Sequence, residues 1–149
     1  MGMTKILERL LRIRDLEEQD RRAVFEKALA QLHLLQSARQ AAWQMEKQGR
    51  ARVAESVRSG DISDRQAGLV ETSTARAKLR SIAADVYAAE QECLERREEF
   101  LQKRVERQQA ETLRDEAAHR ELQEAERRSQ MGIDDWFGTR THQRPAKDK

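Results

Sequence analysis

The chain has 149 residues, of which 38% are charged and only 4% aromatic, with a formal net charge of +2. Ala, Glu, Gln, Arg and Leu dominate and the single proline, Pro145, lies near the end, a profile of long helices or a coiled coil rather than of a globule, whose core would need more Phe, Ile and Val. Acids are interleaved with bases throughout, which excludes a nucleic-acid patch, and no apolar run approaches the about 20 residues that cross a bilayer.

The first element is a helix over about residues 4–57, with Thr4 as its N-cap. Ile6, Leu10, Ile13, Val24, Gln31, Leu35, Ala38, Ala42 and Met45 trace an apolar stripe at alternating three- and four-residue spacing, interrupted by Glu17, Asp20 and Lys27. Leu7, Leu11, Leu29 and Leu32 widen it. Gly49 is the only glycine inside the helix and weakens it by roughly 1 kcal/mol. A turn follows at 58–63. Gly60 supplies the freedom to take a positive φ, and Asp61 is a common turn residue. Ser63 then opens a capping box with Gln66: the hydroxyl accepts from the Gln66 N–H and the amide side chain reaches back.

The second helix is expected over about 64–131. Its start is weak, because Gly68, Thr72, Ser73 and Thr74 all lower helix propensity, and a break near 68–74 stays open. Leu79, Ile82, Val86, Ala89, Cys93 and Phe100 then form a heptad seam with Arg96 as its polar member. Beyond them Leu101, Val105, Leu113, Ala117 and Leu122 spread over more of the surface, which suggests a stutter in the supercoil. The two arms are unequal, about 80 and 100 Å at about 1.5 Å per residue, so the last turns of helix 2 overhang helix 1. Residues 132–149 read as a short aromatic and basic tail, partly disordered. The fold expected is therefore all-α: a long antiparallel two-helix coiled-coil hairpin spanning 1–131, followed by that tail.

The lone Cys93 cannot form an internal disulfide, which points to a reducing compartment. The N-terminus lacks the apolar core and cleavage site of a signal peptide. Met1-Gly2 invites N-myristoylation, but Ile6 stands where Ser or Thr is required. A soluble cytoplasmic protein without direct membrane insertion is expected.

Catalytic chemistry finds little support. His33, His119 and His142 are far apart with no metal-ligand spacing, phosphate-binding glycine loops are absent, and Glu98-Glu99 and Asp134-Asp135 have no pocket to desolvate them. No enzyme activity, metal or cofactor is expected. Cys93 fits the seam as a small apolar residue. Trp43 either flanks the seam and packs over it or belongs to an exposed patch for a partner. Ala38, Ala42, Met45 and Gly49 form a smooth stripe near the turn, and Thr72, Arg76, Leu79 and Ala83 repeat its spacing opposite. Trp136 and Phe137 either fold back as a cap on the rod end or dock into another protein, since two aromatics are costly to leave in water.

Three features together resemble the flagellar FliJ family of coiled-coil stalk proteins of the type III export apparatus. They are Leu10-Leu11-Arg12-Ile13-Arg14-Asp15-Leu16-Glu17-Glu18 near the start, Gly60-x-x-Ser63-x-Arg65 near mid-chain, and Arg127-Arg128 followed by Met131-x-Ile133-Asp134-Asp135-Trp136. Gly132 inside the closing motif and the few aromatics near the turn depart from the family pattern. The resemblance implies a hairpin similar to the central stalk of rotary ATPases. Its terminal end would enter the pore of a hexameric export ATPase and promote assembly and activity, with Arg9, Arg12, Arg14, Arg127, Arg128, Trp136 and Phe137 as contacts. Its turn-proximal part (Ala38, Ala42, Trp43, Met45, Gly49, Thr72, Arg76, Leu79, Ala83) would meet the cytoplasmic domain of the export-gate membrane protein. Export chaperones are a third class of partner, and the place implied is the inner face of the bacterial cell membrane. A stalk of a virulence injectisome shares the architecture. A generic coiled-coil scaffold or chaperone, binding partner helices along its side, is the alternative from another class.

Overall fold

The computed structural model describes residues 2–143. Among them, two α-helices are the only regular elements: α1, Met3–Ser59, and α2, Ile62–Gln143. The helices pack against each other as an all-α hairpin. It divides into two compact units, one built from Met1–Glu18 with Lys103–Lys149 and one from Gln19–Gln102.

The second unit contains the turn. Gly60 takes a φ of 74°, the left-handed conformation that ends helices because a Cβ is unfavourable there. Its N–H donates to the Ser56 carbonyl at 2.9 Å. The N-cap of α2 is Asp61, whose carboxylate accepts from the Asp64 N–H at 3.1 Å. This corrects the expected Ser63–Gln66 capping box. Asp61 caps two residues earlier, so α2 begins at Ile62, and Ser63 and Gln66 lie exposed in its first turns.

Away from the turn, burial in this unit follows a seven-residue period, as in a coiled coil. α1 turns Phe25, Ala28, Leu32, Leu35, Ala42, Gly49 and Ser56 inward, and α2 presents Thr72, Ala75, Ile82, Val86, Ala89, Cys93 and Phe100. Leu32, Val86 and Cys93 form its hydrophobic centre. Phe25 and Phe100 stack with centroids 6.1 Å apart. Nearer the turn the seam residues are small. A Cβ on Gly49 would meet the Thr72 nitrogen at 2.9 Å and the Gly68 oxygen at 3.0 Å, and one on Gly68 would meet the Gly49 oxygen at 2.9 Å. The backbones therefore touch here. Thr72 turns its hydroxyl back to the Gly68 carbonyl at 2.8 Å, so its buried oxygen is satisfied. Glycine and threonine that lower propensity thus serve packing, and α2 runs unbroken through 68–74. Arg52 pairs with Asp64 and Glu71 at 3.5 and 3.4 Å, and Arg76 with Glu46 at 3.2 Å, across the two helices.

The first unit is held differently. Ala110 and Ala117 are buried, with Leu7 and Leu11 half-buried opposite. Next to them along the helices, at 14–18 and 103–107, lie charges. Arg14 binds Glu17 at 3.0 Å and Glu106 at 3.2 Å, and Lys103 reaches Glu17 and Glu106 at 3.5 and 3.2 Å. Arg107 pairs with Glu18 and, at 2.8 Å, with Glu111. Ile6, Ile13, Val105, Leu113 and Leu122 are exposed instead. The apolar stripe expected at Ile6 and Ile13 is thus not the seam, and no stutter is needed. Lys103, Arg107, Ala110, Arg114 and Ala117 keep the seven-residue rhythm, the long side chains laying their methylenes along the seam with charges at its edge.

α2 also extends further than expected. It continues to Gln143 through Gly132 and Gly138, because two separated glycines cost about 1 kcal/mol each but leave the backbone hydrogen bonds intact. Residues 132–143 are helix rather than an irregular tail. The remainder of that expected tail, 144–149 with Pro145, lies outside the described residues.

Candidate functional site

The first unit carries the strongest candidate surface. Thr4 fixes the start of α1 on α2: its N–H and hydroxyl donate to the two Glu121 carboxylate oxygens at 3.1 and 2.7 Å. These bonds hold the Glu121 carboxyl below its ordinary value of 4.5. α2 then goes on alone. Every residue from 125 to 141 is exposed, including Met131, Ile133, Trp136 and Phe137, the last two at 55% and 56%. Trp136 and Phe137 meet edge to face with centroids 5.0 Å apart. The Arg140 guanidinium sits 5.0 Å from the Trp136 ring centroid. The aromatic pair does not cap the hairpin by folding back; it stands on a helix pointing away from the seam.

Of the five arginines expected at this end, four face outward. Arg9 and Arg12 are exposed. Arg127 and Arg128 are exposed and share Glu124 at 3.2 and 3.5 Å. Arg14 differs, being half-buried in the charged seam on Glu17 and Glu106. Its hydrogen bond to Glu17 is the main reason that the Glu17 carboxyl is held low, with Lys103 adding to it against some desolvation. Arg14 therefore holds the hairpin together rather than offering itself to a partner.

The stripe near the turn, in the second unit, is mostly the hairpin's own interface. Ala42, Gly49 and Thr72 are buried between the helices, and Met45 and Leu79 are half-buried. Small residues that looked like a smooth outer surface are what lets the two backbones approach. Ala38, Trp43, Arg76 and Ala83 remain exposed. Arg76 is engaged with Glu46. Trp43 is 50% exposed, with the Arg39 guanidinium 5.2 Å from its centroid, so it flanks the seam without being covered.

Among the described residues no three His, Cys, Asp or Glu side chains gather to hold a metal. Burial, with the neighbouring Glu92 charge, pushes the Cys93 thiol up, which disfavours the thiolate that would react. His33 and His119 are exposed on separate helices. Among the described residues no helix is long and apolar enough to cross a membrane.

No family model, curated protein or solved structure matches the chain. Arg140 is the functional candidate that sequence reasoning passed over. Its signal was present, since an arginine four residues after a tryptophan on a helix stacks on the ring.

Proposed function

We propose that the chain is a stalk component of the flagellar type III export apparatus. In this reading its terminal end engages a hexameric export ATPase and its turn end meets the cytoplasmic domain of the export-gate membrane protein, at the inner face of the cell membrane, with export chaperones as further ligands. The observation that carries the reading is the extension of α2 beyond Glu121, a single helix with Trp136 and Phe137 exposed. Aromatics presented on a helix are the kind of anchor that fills a partner's pocket. Arg9, Arg12, Arg127 and Arg128 add positive charge suited to an acidic pore lining. At the turn end, Trp43 with Ala38 and Ala83 is what remains exposed for the gate.

The test is to titrate the purified chain into an export ATPase and follow ATP hydrolysis and hexamer formation. Stimulation is expected, with its loss on Trp136→Ala together with Phe137→Ala. An ATPase rate unmoved by the native chain rejects the reading. A scaffold that binds partner helices along its side is the second reading. It is favoured by Ile6, Ile13 and Leu16, exposed at 61%, 53% and 66% on α1, and it predicts helix binding that survives both aromatic substitutions.

A further inference from the structure

We infer that the free part of α2 pairs, antiparallel, with the same segment of a second copy of this chain. The segment from 125 to 141 is exposed throughout, and its ion pairs run back along the same helix, from Arg127 and Arg128 to Glu124. At 100° per residue, Ala125, Ser129, Gly132 and Trp136 fall within about 60° of one another on one face. This face is not the hairpin seam prolonged. The seam passes through Ala117, Glu121 and Glu124, on average about 80° from the centre of the face, so a longer α1 would cover its edge and not its centre.

Two features make the face complementary to itself. Size is the first. Around a two-fold axis close to Met131, Trp136 lies opposite the second copy's Ala125, and Ser129 lies opposite the second copy's Gly132. A bulky side chain meets a small one at each end, and small meets small at the centre. The hairpin itself uses the latter arrangement where Gly49, Gly68 and Thr72 bring α1 and α2 into backbone contact. Charge is the second. Arg128 and Asp135 are seven residues apart and share one flank of the face. In an antiparallel pair the same flanks meet, so each copy's Arg128 faces the other's Asp135, twice per dimer. Among the described residues Arg128 reaches Glu124 at 3.5 Å, and Asp135 is exposed with no ion pair to another of them. The two features set the axis within one residue of each other, size between Gln130 and Met131 and charge between Met131 and Gly132. Phe137, one residue and about 100° from Trp136, lies outside the face. Each Trp can bury about 150–250 Å², so the two Trp of a dimer supply about 300–500 Å², short of the about 1,000 Å² of a stable specific interface. The result is a weak, concentration-dependent dimer.

The pairing requires only this chain and stands whether or not the stalk reading holds. If both hold, dimerisation and ATPase engagement compete for Trp136.

Sedimentation equilibrium of the full chain over a concentration series is the test. A monomer–dimer equilibrium is expected. Arg128→Asp alone sets like charges against Asp135, and Asp135→Arg alone sets them against Arg128. Each should weaken the dimer by about tenfold or more. Both changes in one chain should restore it, and an equimolar mixture of the two single variants should form the heterodimer. Far-ultraviolet circular dichroism will show the variants helical, because the positions are exposed. A native chain that stays monomeric overturns the proposal. So does a single charge reversal that dimerises like the native chain, which is the behaviour of a parallel pair or of another surface.

Discussion

At Gly49 the missing side chain is what lets α1 and α2 meet backbone to backbone. Glycine in a helix interior normally weakens it by about 1 kcal/mol relative to alanine, and Gly49→Ala should recover that much if nothing opposed it. Here the added Cβ would stand 2.9 Å from the Thr72 nitrogen and 3.0 Å from the Gly68 oxygen. Backbone atoms cannot move aside as a flexible side chain can, so the helices would have to part and lose contacts on both sides. Overpacking of this kind costs about 1–3 kcal/mol and exceeds the propensity gain. Gly49→Ala should therefore lower the urea midpoint. Gly138→Ala, with nothing within 4 Å of the new Cβ, should instead raise helicity in the extension and leave the midpoint unchanged. A single substitution type thus has opposite effects within one molecule, and the distinction rests on the partner helix, which the sequence does not display.

The two helices were legible as elements, and Gly60 with Asp61 marks the reversal plainly. The sequence leaves a break open near 68–74, however, and ends the second helix at 131, because Gly68, Thr72 and Gly132 lower propensity; only the structure shows the helix running through them. The seam was legible only where it is apolar. Leu79, Ile82, Val86, Ala89, Cys93 and Phe100 announce themselves, whereas Arg14, Glu18, Lys103 and Arg107 do not, because a charged residue at a seam position looks like an interruption. Ile6 and Ile13 drew the reading to a neighbouring face for the same reason. The structure resolves this through ion pairs that span the two helices, and these have a consequence in acid. Glu17 is held low chiefly by the Arg14 hydrogen bond, and Glu121 chiefly by the Thr4 hydroxyl and N–H. A carboxylate whose folded value is depressed binds fewer protons folded than unfolded. Its contribution is therefore complete above the ordinary value of 4.5 and is lost as the pH falls through the depressed one. The urea midpoint of the native chain should decline over that acid range. In Glu121→Gln the decline should be shallower and the midpoint at neutral pH lower, because the amide can still accept from Thr4 but carries no charge to lose. Equal slopes for the two proteins would assign the acid response to other carboxylates.

For the molecule as a whole, what matters is that the part of α2 that packs on α1 and the part that is exposed all round are different. Up to Glu121 its inward face is taken by α1, and its substitutions report on stability. From 125 to 141 no side chain is buried, so this stretch adds nothing to the seam and holds its form through its own backbone hydrogen bonds. An isolated helix of this length is marginal in water, but here it is propagated from a packed one, which removes the cost of nucleation. Removing residues 125–149 should then leave the hairpin with an unchanged urea midpoint and lower total ellipticity by the helix deleted. The same deletion should abolish self-association and, if the stalk reading holds, stimulation of the export ATPase. Sedimentation, ellipticity and hydrolysis measured on the one truncated protein separate the possibilities. A midpoint that falls would mean that the extension contributes to the seam. Stimulation that persists would place the ATPase contact on Arg9 and Arg12 of α1. A dimer that persists would move the self-association surface to exposed Ile6 and Ile13, where the apolar side chains stand outside a charged seam.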